Sequence, residues 1–277
     1  MEDKTGYAAR FAWAERLSPR LLKSPWWIGH IPFAFELIGR LKPRVTVELG
    51  TYSGSSFAAF CQAVEASGGG HCYGVDLWEG DIHMGRFDET LFNEINDYLA
   101  GEHPGTATLV RKDFNEAVSQ FADGSIDLLH IDGTHTYEAV GNDFRTWLPK
   151  MSDRSVVMFH DINVTVQNAG PAALKFGVRK LFDEVKGAYP HFEFAHCYGL
   201  GVLVTGKNAP AEVMELVEMS RVPGFSDYFE AKGAAVSRRF QDMNVALPVH
   251  DPYSAAAPLW RRAVNKLHRV SRRLIGS

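Results

Sequence analysis

Five β-branched runs punctuate the chain at intervals that leave room for a helix between each pair. They are RVTVELG (44–50), HCYGVDLW (71–78), TATLVRKD (106–113), IDLLHID (126–132) and RSVVMFHDI (154–162). The intervening stretches, such as SGSSFAAFCQAVEA (53–66), DETLFNEINDYLAG (88–101) and TYEAVGNDFRTWLPKM (136–151), carry apolar residues at helical spacing. Strands that alternate with helices imply βαβ units, and hence a parallel sheet covered by helices on both faces. Two further runs, HFEFAHC (191–197) and LGVLVTG (200–206), close around Tyr198-Gly199 and read as an antiparallel pair at the sheet edge. The expected fold is therefore α/β, a doubly wound Rossmann-like and mostly parallel seven-stranded sheet with an antiparallel edge hairpin. N-terminal helices (YAARFAWAERL, IPFAFELIGRL) and a C-terminal helical extension flank it. The expected division is 1–43 as a helical lead-in or cap, 44–206 as the sheet domain, and 207–277 as the extension.

Composition narrows what such a sheet can serve. The chain has 277 residues and a formal net charge of -4, so it lacks the basic balance of a phosphate-tracking protein and no nucleic acid is expected as partner. Cys61, Cys72 and Cys197 are widely spaced and form no CxxC, which suits reduced thiols in a cytoplasm. The opening MEDKTGYAARFAWAERL is acidic where a secretory leader requires a basic segment. No apolar run reaches the ~18 residues of a membrane span. The segment LWRRAVNKLHRVSRRLIGS (259–277) has six Lys or Arg residues and no acid, with Trp260, Val264, Leu267 and Leu274 on one stripe. Such a segment lies on an anionic membrane surface, docks on a partner, or packs as a terminal helix with solvated charges. The expected location is cytoplasmic, with peripheral contact at the inner membrane face through this tail. A homo-oligomer is compatible with the sequence.

In doubly wound sheets, ligands sit beyond the carboxyl ends of the strands. The first tip, VELGTYSGSS (47–56), has Gly50 and Gly54 four apart, and fits neither GxGxxG nor a GK[ST] phosphate loop. Asp76 ends the second strand, where a carboxylate can accept both hydroxyls of a ribose. Asp113 ends the third, near where an adenine edge would lie. A generic turn, with Gly50 for backbone approach and Ser53 as helix cap, is the alternative. Gly, Asp and Asp at three successive tips favour a nucleoside-bearing cofactor.

The fourth and fifth tips carry His130, Asp132 and His135, then His160 and Asp161. Asp132 and Asp161 end adjacent strands and should converge. Two carboxylates with an imidazole suit a divalent ion, Mg2+ or Mn2+ by ligand type. His130 lies within its strand and reads as a structural histidine. Thr134 or Thr136 caps the next helix, whose core face is Tyr137, Val140, Phe144 and Trp147. Asp143 lies off that stripe and reads as a structural hydrogen-bonding residue. His30 either roofs the site or belongs to the core.

The segments VELGTYSGSS, GVDLW, VRKDF, LLHIDGTHTYEAVGNDF and VVMFHD, in this order and spacing, resemble class I S-adenosylmethionine-dependent methyltransferases. The closer resemblance is to a bacterial O-methyltransferase group with the signature HIDGxHxYexV…fHD, linked to sugar, antibiotic and polysaccharide modification. That resemblance implies S-adenosylmethionine as cofactor, held by Glu48, Gly50, Ser53, Gly54, Ser56, Asp76, Asp113 and Phe114. It implies O-methylation of a sugar or glycan acceptor, with His135 as first choice of general base, His160 as second, and Asp132 beside them. The resemblance to metal-dependent relatives further implies Asp132, His160 and Asp161 as the set for a divalent ion. Two other readings stay open on the residues: an NAD(P)-dependent oxidoreductase, weakened by the missing GxGxxG, and a non-catalytic cofactor-binding module of a glycan-assembly complex.

Overall fold

A computed structural model of the protein describes residues 6–82 and 84–243. The seven expected strands all form: β1 Val45–Leu49, β2 His71–Asp76, β3 Ala107–Arg111, β4 Ile126–Ile131, β5 Met151–His160, β6 His191–Phe194 and β7 Leu200–Val204. They make one sheet in the order β3-β2-β1-β4-β5-β7-β6. The first five run parallel, while β7 pairs antiparallel with both β5 and β6. A small ribbon, Gly80–Asp81 against Gly85–Arg86, also forms. Two-residue strands are too short to leave a period in the sequence, and this one was not expected.

Strand order reverses between β1 and β4, so the crevice of the sheet lies above their carboxyl ends. Helices α1 Ile31–Leu41, α2 Ser55–Ala66, α3 Glu89–Glu102, α4 Tyr137–Trp147, α5 Val178–Val185, α6 Ala211–Met219 and α7 Phe225–Met243 surround the sheet. Among the described residues two large apolar cores result, beside a small cluster around Ala169 and Ala173. One buries Phe33, Phe60, Leu216 and Phe229 from α1, α2, α6 and α7. The other buries Phe144, Trp147 and Phe182 from α4 and α5. Thr136, not Thr134, caps α4, accepting from Ala139 N at 3.3 Å.

The lead-in is tied down by groups that would otherwise be unsatisfied at helix ends. The buried Glu36 of α1 accepts from Trp13 N and Ala14 N at 3.0 and 3.2 Å. Gly233 of α7 lies on the backbone of Gly29, where a Cβ would stand 2.1 Å from the Gly29 carbonyl oxygen. This close approach seats residues 26–30 over the sheet. Among the described residues no helix is long and apolar enough to cross a membrane. The basic segment 259–277 lies outside the described residues.

Candidate active site

The loop after β1 forms one wall. Gly50 has φ 92°, and a Cβ on it would fall 2.1 Å from the Asp132 carbonyl oxygen. Only glycine fits, in conformation and in space. Tyr52 adopts φ 46°, a strained value for a bulky residue. It is held there because its N–H donates to Asp76 Oδ2 at 2.9 Å and its carbonyl accepts from Trp78 Nε1 at 2.9 Å. Trp78 N donates to the other Asp76 oxygen at 2.7 Å. Burial pushes the Asp76 carboxyl up, against the backbone N–H groups of Tyr52 and Trp78 that favour its charge.

Between this loop, β3 and α4 lies a cavity of about 490 Å³, lined among others by Gly50, Asp76, Asp113, Phe114, Asp132 and His135. A smaller one of about 80 Å³ shares Gly50, Tyr52, Asp132 and His135 with it and reaches Trp26, His160 and Asp161. Asp113 Oδ1 accepts from Asn115 N at 2.8 Å and so caps the turn Phe114–Ala117. Phe114 packs on Gly133, where a Cβ would meet its ring at 2.4 Å.

At the meeting point of the two cavities, two carboxylates face two imidazoles. His135 Nε2 lies 3.3 Å from Asp132 Oδ1 and 3.0 Å from Asp161 Oδ2. His160 Nδ1 lies 3.1 Å from Asp132 Oδ1 and 3.3 Å from Asp161 Oδ1. Asp161 has φ 61°, a strained turn that aims its carboxylate back at the cluster. The His135 ring is stacked on Phe176 at 4.8 Å and 14°, and its carbonyl accepts from Gly177 N at 2.7 Å.

The other nitrogen of His160, Nε2, faces the Cys197 carbonyl at 3.0 Å. Both ring nitrogens of His160 thus face oxygens that only accept, so this geometry calls for the doubly protonated imidazolium. Burial alone would lower the His160 pKa, but Asp161 and Asp132 outweigh it and hold the group well above the usual imidazole value. Asp132, His135 and Asp161 present ligand atoms within 4.8 Å of one another. The set converging here therefore differs at one position from the expected one. His135 stands where His160 was expected, because His160 is held from both sides.

Residues 47–162 match a family profile described as a methyltransferase domain. The likeness covers the five parallel strands and the cluster at their tips. An uncharacterized protein of Sinorhizobium fredii, y4gI, is 37% identical over 218 residues, 76% of this chain. The chain spans only 23% of that relative's length. A structure from Staphylococcus aureus, to which caffeoyl-CoA O-methyltransferase activity is ascribed, is similar at a TM-score of 0.50 and 14% identity, over 74% of this chain and 93% of that one. The Streptomyces achromogenes O-methyltransferase TomG, crystallised with S-adenosylmethionine, is similar at a TM-score of 0.48 and 18% identity, over 74% of this chain and 92% of that one. At these identities the likeness to solved structures concerns the fold.

Within the matched segment the expected cofactor residues divide. Gly50, Asp76, Asp113 and Phe114 line the larger cavity, and Ser53 and Ser56 the smaller. Glu48 and Gly54 line neither. Gly54 supplies the left-handed start of α2, packed on Ile95. Glu48 is fully buried, with Oε1 3.0 Å from His130 Nδ1. His130 Nε2 in turn accepts from Trp27 Nε1 at 3.0 Å. An indole N–H only donates, so the His130 proton sits on Nδ1 and points at Glu48. Glu48 and His130 are thus partners inside the fold. His30 is also interior: its Nε2 donates to the Cys197 carbonyl at 3.2 Å, and it lines neither cavity. Burial, with His196 and His160 close by, holds its pKa well below the usual value.

Trp26, Phe176 and the Cys197 carbonyl shape the cluster, yet none was marked in the sequence. Their partners lie far along the chain, and a backbone carbonyl has no residue-type signature. Gly50→Ala is expected to cost at least about 2 kcal/mol through φ strain and the clash with the Asp132 carbonyl. Thermal unfolding reads this directly.

Proposed function

We propose that the protein is an S-adenosylmethionine-dependent O-methyltransferase acting on a sugar hydroxyl of a glycan or glycosylated metabolite. The observation that carries this reading is a cavity of about 490 Å³ running from Asp76 and Phe114 to the Asp132–His135–Asp161 cluster. That volume is in the usual range for small-molecule sites. The donor set also suits the cofactor. Asp76 would take the ribose hydroxyls, Phe114 and Asp113 would border the adenine, Gly50 leaves room for backbone approach, and Ser53 and Ser56 would line the methionine end. When bound, the cofactor supplies a methyl group activated by its sulfonium.

The protein's own share is positioning and proton removal, since methyl transfer is an in-line displacement. His135 accepts the hydroxyl proton, while Asp132 and Asp161 fix its ring and stabilise the imidazolium formed. The charged His160 holds both carboxylates in place. Trp26 and Tyr52 offer flat faces beside these acids, a pairing suited to a sugar ring with apolar faces and hydroxyl edges. A second reading rests on the same residues: two oxygens and one nitrogen within 4.8 Å fit a divalent ion such as Mg2+ or Mn2+, with His135 as ligand. Such an ion would acidify the acceptor hydroxyl.

Calorimetry with S-adenosylmethionine tests the reading. Wild type is expected to bind it, and Asp76→Ala to bind about tenfold or more weakly through loss of charge-assisted hydrogen bonds. Binding of a nicotinamide cofactor in its place would overturn the proposal in favour of an oxidoreductase.

A further inference from the structure

Asp143 is used by none of the roles above, yet its surroundings are not those of a packing residue. It lies on α4, is 5% exposed, and lines the larger cavity together with Glu138, Ala139 and Asn142 of the same helix. The charges that bear on it are another carboxylate, Asp113, which disfavours its ionisation, and His135, which favours it. A buried acid without a close cation is costly, and one that also faces a cavity is placed to receive a donor from whatever fills it. Burial, with Asp113, lifts its pKa to about 7 against a side-chain hydrogen bond from Asn142 that favours its charge.

The neighbours narrow which donor this is. Asn142 Nδ2 donates to Asn115 Oδ1 at 2.8 Å, and Asn115 N and Nδ2 donate to Asp113 Oδ1 at 2.8 and 3.1 Å. The amide donors at this end are therefore shared among Asn115, Asp113 and Asp143, and the Asp143 carboxylate, which takes one amide donor from Asn142, keeps acceptor capacity on the cavity. Phe114 beside it offers an aromatic face, packed edge-on to Gly133. A flat ring carrying an exocyclic amine matches this combination of face and acceptor.

Resting on the cofactor reading above, we propose that Asp143 is the residue that selects the adenine base, its carboxylate accepting a hydrogen bond from the exocyclic amine. The neutral ring nitrogens carry no such donor. A base with oxygen at that position sets acceptor against acceptor, and is rejected.

Calorimetry at pH 8.5, where Asp143 is ionised, tests this with S-adenosylhomocysteine and with S-inosylhomocysteine, in which oxygen replaces the amine. Wild type is expected to bind the inosyl compound about ten- to a hundredfold more weakly, the worth of a hydrogen bond to a charged group. Asp143→Asn keeps the shape and adds an amide donor that can meet the oxygen, so the ratio should fall to within about threefold. Asp143→Ala should weaken the adenosyl compound itself about tenfold. Binding without discrimination by wild type, or discrimination undiminished in Asp143→Asn, overturns this assignment alone. Failure of wild type to bind S-adenosylhomocysteine overturns the cofactor reading and this assignment together.

Discussion

Asp132→Ala is expected to abolish methyl transfer while also costing the fold about 3–5 kcal/mol, the usual result of removing one partner from a buried charge pair. Asp132 Oδ1 lies within 3.3 Å of His135 Nε2 and 3.1 Å of His160 Nδ1. Without it, two buried imidazoles are left to a single carboxylate, Asp161. Asp132→Asn separates shape from charge. It should pack normally yet lose about 10³–10⁴ in turnover, as when the acid that orients a catalytic histidine becomes an amide. The measurement is release of S-adenosylhomocysteine with a glycan acceptor of the proposed reaction. Cofactor affinity should hold within a few-fold, which separates a catalytic loss from a collapsed site.

The same residue imposes a pH signature on stability. Burial opposes its ionisation, but His160 and His135 outweigh burial and hold the Asp132 carboxyl far below the usual carboxylate range. A depressed pKa contributes stability that is present above the unfolded value and is lost as pH falls below it. Acid unfolding of the wild type should therefore be steeper below about pH 4 than that of Asp132→Asn. Identical acid slopes would show that the imidazoles do not pair with Asp132 in solution.

His135→Gln is the second large effect, with an expected loss of about 10²–10⁴ in turnover. Burial lowers the His135 pKa, but Asp161 and Asp132 together raise it above the ordinary 6.5. A base acts in its deprotonated form, so turnover should climb with pH through a midpoint above that value, and the limb should vanish in the variant. The stability that His135 contributes has the opposite sense: present below the ordinary imidazole value, it fades as pH rises through the folded one. A chelator distinguishes the two readings of this residue. Turnover that survives chelation makes His135 the proton acceptor. Turnover that is lost and restored by Mn2+ makes it a ligand.

Much of this architecture was legible in the chain. Short β-branched apolar runs ending on Gly50, Asp76, Asp113, Asp132 and Asp161 place those residues at strand tips, because a strand's end is a local property of backbone and side-chain pattern. The parallel order and the edge hairpin followed from the helices between strands and from the short Tyr198-Gly199 link. What each tip side chain touches is a different matter. Glu48 ends the same strand as Gly50, yet it turns inward because His130 and Trp27 complete a buried chain of hydrogen bonds there. His135 was the first choice of base and His160 the second, though residue type alone does not separate them. The Cys197 carbonyl, 37 positions beyond His160, captures Nε2 of one, while the segment ending at Phe176 and Gly177 sets the ring of the other. Local pattern determined where the reactive groups stand. Their partners were decided by tertiary packing, because a hydrogen bond is satisfied by whichever group the fold brings within about 3 Å, however distant in sequence.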